Sequence, residues 1–260
     1  MKIKKILVTG AGGYIGTSLV PYLIKKGFTV KAIDRFFFGE KFLKKNKKLF
    51  ILKKDIRDLT LQDIRGYDAF IDLAAISNDP SGEKFKKQTF EINYKARAKN
   101  ANLAKKANFK RYILPSSCSN YGKIKNNEIA NEKFKLNPLT NYSKANAMAE
   151  KKIIGLGNNK FTVTVLRQGT VFGYSPKMRF DLAINGMTFN SWKNGLLPLM
   201  KDGSQRRPMI HLKDVCRGMY FILQADSLKI NNQIFNLGGN ENNYSIINLS
   251  KIIKKNIDKK

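Results

Sequence analysis

Short apolar runs alternate along the first two thirds of the chain with longer stretches in which apolar residues return every three or four positions. KKILVTG (4–10) is a β-rich run ending in glycine, and YIGTSLVPYLIKKG (14–27) carries a helical period that closes on Gly27. FTVKAID (28–34) reads as a second strand, and KLFILKKDIRD (48–58) contains a third. DAFIDLAAI (68–76) gives a fourth, FKRYILPSS (109–117) a fifth and KFTVTVLRQ (160–168) a sixth. Helical periodicity runs through FEINYKARAKNANLAKKAN (90–108) and again from Tyr142 to Gly155. Strand, helix and strand repeated in this way predict a parallel sheet covered on both faces. With right-handed crossovers that is a doubly wound, Rossmann-like α/β fold.

The rhythm changes after residue 167. GTVFGYSPKMRFD is broken by glycine and proline, and helical stretches follow near AINGMTFNSWKNG, over DVCRGMYFILQA and from about Ser245. The expected organisation is a nucleotide-binding domain over 1–167 and a smaller substrate-binding region over 168–260. Elements of the second part are expected to return to the main sheet.

Composition narrows the function classes. An apolar content of 42% is that of a globular chain, and runs such as AFIDLAAI and MYFILQA are far too short to span a membrane. MKIKKILVTG reaches a glycine turn after a few apolar residues, so it reads as a first strand and not as a signal peptide. Cys118 and Cys216 form no spacing pattern, which makes a reducing cytoplasm the expected location. The formal charge of +30, from 49 Lys and Arg against 19 Asp and Glu, would suit an anionic partner. The excess is scattered lysine without aromatic interleaving, so a solvated basic surface is expected and nucleic-acid binding is not. His211 is the sole histidine, so no zinc site is expected, and it is read as structural.

The first chemical signal is TGAGGYIG (9–16), directly after a strand and opening a helix. Gly10, Gly12, Gly13 and Gly16 let the chain turn tightly, bring amides to a pyrophosphate and pack helix on strand. Tyr14 and Ile15 complete the turn, whose phosphates meet the positive helix end. Asp34 lies 18 residues beyond Gly16, at the end of the second strand. Its carboxylate suits ribose hydroxyls and repels a 2′-phosphate, favouring NAD, although the adjacent Arg35 could serve such a phosphate. Asp55 and Ile56 fall where an adenine edge would lie, or form an ordinary strand-end turn.

These residues carry a family signature. TGAGGYIG, DLAA (72–75), SSCSNYG (116–122), NPLTNYSKANAMAE (137–150), RRPMIHLKDV (206–215) and FNLGG (235–239) occur in family order. The chain resembles the extended short-chain dehydrogenase/reductases, the group of NAD-dependent nucleotide-sugar epimerases and dehydratases. The resemblance implies NAD, with Leu73, Ala74 and Ala75 beside it, and a nucleotide sugar as substrate. It implies Ser117 as the hydroxyl on the sugar oxygen being oxidised and Tyr142 as general base. Asn93 would support the framework. Thr170, Arg207, Ser77 and, more weakly, Lys177, Arg179 and Asn185 would face the substrate. Members commonly form homodimers and extend some tens of residues beyond the equivalent of this endpoint, so a shortened C-terminal part is expected.

One part is missing. The family's lysine one helical turn after the tyrosine is here Asn146, and Lys144 lies two residues on from Tyr142, roughly 200° around the helix. Asn146 can exchange hydrogen bonds with a ribose hydroxyl but supplies no charge. A unit charge about 5 Å away at an effective dielectric of about 20 is worth roughly 3 kcal/mol, or about two pKa units on the phenol. Either another cation serves (Lys144, Lys84 or Lys123), or turnover is slow, or the chain binds without turning over. On this reading Asn146→Lys gives a faster enzyme.

Dehydratase relatives carry an Asp-Glu pair where Cys118 and Ser119 stand, so dehydration is disfavoured. Epimerisation at C4 through a transient 4-keto sugar needs only Ser117, Tyr142 and room for the sugar to rotate. A net reductase or dehydrogenase of a nucleotide-linked sugar is the second reading. Asp72 reads as a capped strand end, and Ser77, Asn78 and Asp79 as a turn beside the nicotinamide.

Overall fold

The computed structural model describes residues 2–125, 128–197, 199 and 202–257. From the N-terminus, β1 (Lys5–Thr9) leads into α1 (Gly16–Lys25), then β2 (Thr29–Asp34), β3 (Leu49–Lys53) and α2 (Leu61–Ile64). Next come β4 (Ala69–Asp72), α3 (Asp79–Lys84) and α4 (Lys86–Phe90), then a π-helical stretch (Glu91–Ala96) that runs into α5 (Arg97–Lys106). β5 (Arg111–Ser117), α6 (Asn141–Ile154) and β6 (Thr162–Gln168) complete the alternation. The remainder is β7 (Thr170–Phe172), α7 (Ala183–Asn194), β8 (Arg206–His211), α8 (Leu212–Gln224), α9 (Ser227–Ile230), β9 (Gln233–Leu237), β10 (Asn243–Ser245) and α10 (Ile246–Asn256).

Seven strands form one parallel sheet in the order β3-β2-β1-β4-β5-β6-β9. The doubly wound architecture expected from the strand-helix rhythm is therefore present. Its inner strands read as continuous apolar runs because helices cover both faces; β4 and β6 are buried along their whole length. Leu19, Val20 and Leu23 of α1 pack with Val215, Met219 and Leu223 of α8 on one face. Ala98, Ala101 and Ala104 of α5 and Ala149 and Ile153 of α6 cover the other. The alanines of α5 let that helix lie close over the large rings of Phe70 and Tyr112.

Strand order reverses between β1 and β4, whose ends pair as Thr9 with Asp72. In an open parallel sheet the crevice at such a reversal is where ligands bind. A second sheet, β10-β8-β7, stands beside the C-terminal end of β6, and α7 and α10 close a third apolar cluster against it. β9 returns from this part to the edge of the main sheet.

Two local expectations are corrected. Ser77–Asp79 does not simply turn: the Asn78 side chain accepts from the Ser81 amide at 2.8 Å and starts the short helix α3. Asp72 closes its strand inside the core, a burial that its reading as a capped strand end did not include. It is wholly buried, accepting from Thr9 Oγ1 and the Tyr112 hydroxyl at 2.5 Å each.

Candidate active site

The glycine turn is built for close approach. Gly10 has φ +64°, and a Cβ there would lie 2.7 Å from Ala74 N and Leu73 C, so the turn rests directly on the chain leaving β4. Ala74 N also donates to Thr9 Oγ1 at 3.4 Å. Gly13 N returns to Gly10 O at 3.1 Å, and Gly16 touches Gly10 and Ala11 so tightly that no side chain fits. The amides of Tyr14 and Ile15 have no partner among the described residues, and α1 has no side-chain cap and no acid in its first turn. An uncapped positive helix end behind a glycine cradle fits an anionic group.

Asp34 holds the neighbouring edge, accepting from Gly12 N at 3.1 Å and Phe36 N at 2.7 Å. Arg35 is exposed; it stacks at 4.1 Å on Phe37 and approaches Asp55 at 3.4 Å. Asp55 is occupied by Arg57, whose Nε and Nη2 donate to its two oxygens at 3.1 and 2.8 Å. These hydrogen bonds hold the Asp55 carboxyl below the usual range. Ile56 is buried in the core and offers no side chain to a ligand.

At the C-terminal end of β5 the Ser117 hydroxyl accepts from Ser119 N at 3.1 Å and Ser119 Oγ at 2.9 Å. Tyr142 comes to it from the first turn of α6, which is fixed at several points. Thr140 caps the helix, accepting from Ser143 N at 3.2 Å, and donates to Asp79 Oδ1 at 2.6 Å. Asn141 donates to Glu83 through both its backbone and its side chain, and Gly82 lies against Tyr142 so closely that a Cβ would meet the tyrosine Cβ at 3.0 Å. Lower on α6, Glu150 pairs with Arg167 of β6 at 2.7 Å, both buried. Burial raises the Tyr142 phenol above its ordinary value; hydrogen bonding from Ser117, the charge of Arg97 and hydrogen bonding from Asn146 pull it back. Cys118 is pushed by burial up to about 11, against the charge of Arg207, so it is a neutral thiol at pH 7.

Asn146 is buried, and the group beside it is Arg97. The guanidinium Nη1 donates to Asn146 Oδ1 at 3.1 Å, while Nη2 donates to the carbonyls of Asp72 and Pro115 at 2.7 and 2.6 Å. Arg97 Nε lies 3.8 Å from Asp72 Oδ2. The lysines considered from the sequence, Lys84, Lys123 and Lys144, are all exposed. The expectation that one of them supplies the charge is corrected, because a cation is already buried against Asn146.

On the expected substrate side the residues fall into two groups. Ser77 accepts from Arg179 Nη1 at 2.6 Å, and Arg179 and Asn78 both donate to Asp181, at 2.5 and 2.7 Å. Arg207 is exposed on β8, where its charge reaches Cys118, and Thr170 is half-buried on the neighbouring β7. Two expectations are not met in the way the sequence suggested. Asn185 is buried with its amide committed, accepting from Gly173 N at 2.9 Å and donating to Tyr14 Oη and Arg179 O. Lys177 stands 3.5 Å over the Phe38 ring, beside the loop after β2. His211 Nδ1 caps α8 by accepting from Lys213 N at 3.2 Å.

The sequence matches the NAD dependent epimerase/dehydratase family model over residues 6–238. The chain belongs to that family. The Bifunctional polymyxin resistance protein ArnA of Wigglesworthia glossinidia brevipalpis is 25% identical over 274 residues, 96% of this chain and 41% of that protein. The chain thus spans less than half of that relative. The Uncharacterized UDP-glucose epimerase YtcB of Bacillus subtilis (strain 168) is 28% identical over 252 residues, 91% of this chain and 77% of that protein. A solved structure, a mutant UDP-glucuronic acid 4-epimerase from Bacillus cereus with UDP-4-deoxy-4-fluoro-glucuronic acid and NAD, superposes with TM-score 0.85 at 25% identity. It covers 98% of this chain and 85% of its own.

The residues present fit the NAD of this epimerase/dehydratase family, since the uncapped end of α1 and the cradle at Gly10–Gly16 leave amides turned to an anion. Asn93 clamps the chain after β4, accepting from Ile76 N and donating to Ile76 O at 2.8 Å each. Arg97 escaped the sequence reading. Its signal was a place on the buried face Asn93–Arg97–Asn100–Ala101–Ala104, where a surface cation has no reason to be. Among the described residues no helix is long and apolar enough to cross a membrane.

Proposed function

We propose that the protein is an NAD-dependent nucleotide-sugar epimerase acting at C4 through a transient 4-keto sugar. Bound NAD would supply the acceptor and later the donor for the C4 hydride. The chain's own residues handle the proton and the sugar. Ser117 donates to O4 and orients it, and Tyr142 takes the O4 proton and later returns it. Gly10, Gly12, Gly13, Tyr14, Ile15 and Gly16 would hold the pyrophosphate, and Asp34 the adenosine ribose. Leu73, Ala74 and Ala75 would line the inner wall. Arg207, Thr170 and the Ser77–Arg179 pair would face the nucleotide sugar.

The observation that carries the reading is that Ser117, at the end of β5, and Tyr142, in the first turn of α6, come close enough at the C-terminal edge of the parallel sheet for the serine to favour the phenolate. Elimination of water is not served here: Cys118 is a neutral thiol and Ser119 is spent on Ser117. The mutant 4-epimerase of Bacillus cereus supports the same class at the level of overall fold.

The test is incubation with UDP-, GDP-, CDP- and dTDP-hexoses deuterated at C4, with product separation and NMR. Inversion at C4 with the label retained is expected. Water loss from the sugar, net reduction, or no conversion over the whole panel overturns the proposal.

A further inference from the structure

Resting on the reading of Tyr142 as proton acceptor, we propose that Arg97 takes over the electrostatic task of a lysine at 146, holding the Tyr142 phenolate through the intervening amide of Asn146. Arg97 is therefore a positioning residue: it acts on the phenol through another side chain.

The geometry has three parts. The guanidinium is 2% exposed and pinned by the carbonyls of Asp72 on β4 and Pro115 on the neighbouring β5. Backbone carbonyls take its Nη2 donors without cancelling its charge, while Nε has no hydrogen-bond partner, and a guanidinium is charged wherever the protein is folded. Its Nη1–H then fixes the sense of the Asn146 amide, because Oδ1 must face the donor. That leaves Asn146 Nδ2, a buried donor with no other partner, for the Tyr142 phenol one turn earlier on α6. A donor polarised by a cation behind it binds an anion better than an isolated amide does.

Asp72 opposes this charge from 3.8 Å and reduces its effect on the phenol, its two oxygens also accepting from the hydroxyls of Thr9 and Tyr112. The other groups around Tyr142 add little. Cys118 is a neutral thiol, Asp79 is engaged by Thr140, and Glu83 by Asn141. Glu150 is paired with Arg167 and Glu91 with Arg57, while Lys84, Lys86, Lys87, Lys95 and Lys144 face solvent. Arg97 is the cation left for the phenol among the described residues.

The experiment replaces tyrosine by 3-fluorotyrosine, whose phenol ionises at lower pH, and follows the ¹⁹F resonance assigned with Tyr142→Phe in the protein without substrate. Arg97→Met is expected to raise the Tyr142 midpoint by about one to two units, the Coulomb effect of a unit charge roughly 6 Å away reduced by Asp72. Arg97→Lys should also raise the midpoint, by less than Arg97→Met, since a buried ammonium loses its proton near the pH at which the phenol titrates. Asn146→Ala keeps Arg97 but removes the bridge, and should raise the midpoint. Arg97→Met combined with Asn146→Lys should bring it back, because the lysine then stands one turn from the phenol with no like charge beside it. An unchanged midpoint in folded Arg97→Met or in Asn146→Ala overturns the proposal. If Arg97→Met does not fold, recovery of fold and midpoint in the double variant supports it and failure to recover overturns it. Because the titration needs no turnover, a negative result with the sugar panel leaves this test standing on its own.

Discussion

Replacing Asn146 with lysine brings a primary ammonium to a place where Oδ1 now meets a buried guanidinium at 3.1 Å. Restoring the family's charge at this position was expected from the residues alone to speed the enzyme. Arg97 adds a cost in stability that the residues alone did not show. Two unit positive charges about 4 Å apart at an effective dielectric of about 20 repel by roughly 4 kcal/mol. Asp72 attracts both and returns part of this, and the longer side chain adds about 1–3 kcal/mol of crowding in a packed site. A net loss of about 3 kcal/mol is expected, a large share of a typical domain's stability.

Urea denaturation of Asn146→Lys against wild type at pH 7 measures the loss, and its pH dependence identifies the cause. A lysine facing a like charge has a folded pKa below its unfolded value of about 10.4. Below the folded value both states are protonated and the whole penalty is present. Between the two values the unfolded chain binds one proton more than the folded one, so stability rises with pH and the electrostatic part is recovered by about pH 10.5. The packing part does not respond. Stability within about 0.5 kcal/mol of wild type at pH 7, or a loss that is flat from pH 7 to 10.5, would refute the placement of Arg97 as a charged neighbour of residue 146.

Three further outcomes follow from the same coordinates. Glu150→Gln strips the partner from buried Arg167 and should cost about 3–5 kcal/mol in chemical denaturation; a loss under about 1 kcal/mol would show that the pair is not shielded from water. Gly10→Ala sets a Cβ against backbone atoms of Leu73 and Ala74 at φ +64°, so a stability loss of at least about 2 kcal/mol is expected, with NAD affinity in a fluorescence titration falling alongside; unchanged affinity would refute the cradle. Cys118, pushed up to about 11, should react with a disulfide reagent at pH 8 roughly an order of magnitude more slowly than a free thiol, its small thiolate fraction being partly offset by the greater nucleophilicity of a more basic thiolate, and labelling as fast as a free thiol would refute the raised value.

The fold was legible because its strands are continuous apolar runs and its glycine turn has few alternatives. What stayed hidden depended on contacts across long sequence separations. Asn78 looks like part of a turn until its side chain is seen to cap a helix, which is tied to α6 through Asp79 and Thr140. Asp72 closes a strand whose other residues are apolar, and nothing nearby in sequence reveals that Thr9 and Tyr112 wait for it. Tyr142, Ser117 and Asn146 were placed by the family resemblance. The replacement for the missing lysine stayed hidden because it stands on another helix, not on α6 or the nearby loops.

Arg97 illustrates why a chain with so much positive charge is hard to read for function. With a formal charge of +30, one more basic residue in a helix carries little information by its sign. Its type does. The buried basic side chains among the described residues are Arg97, Arg111 and Arg167, and no lysine is among them. A guanidinium spreads its charge over a plane of donors that carbonyls and carboxylates can satisfy, whereas an ammonium needs a compact shell that the interior rarely offers. All three arginines use this. Arg111 holds the carbonyls of Ile222 and Ala225, Arg167 grips Glu150, and Arg97 spans Asp72, Pro115 and Asn146. In a lysine-rich sequence, arginine on the inner face of a helix is thus the residue to examine when a charge is missing from a site. Exchanging Arg111 or Arg167 for lysine should accordingly cost more stability than any exposed lysine-to-arginine change. Equal losses in the two sets would remove the basis for that rule.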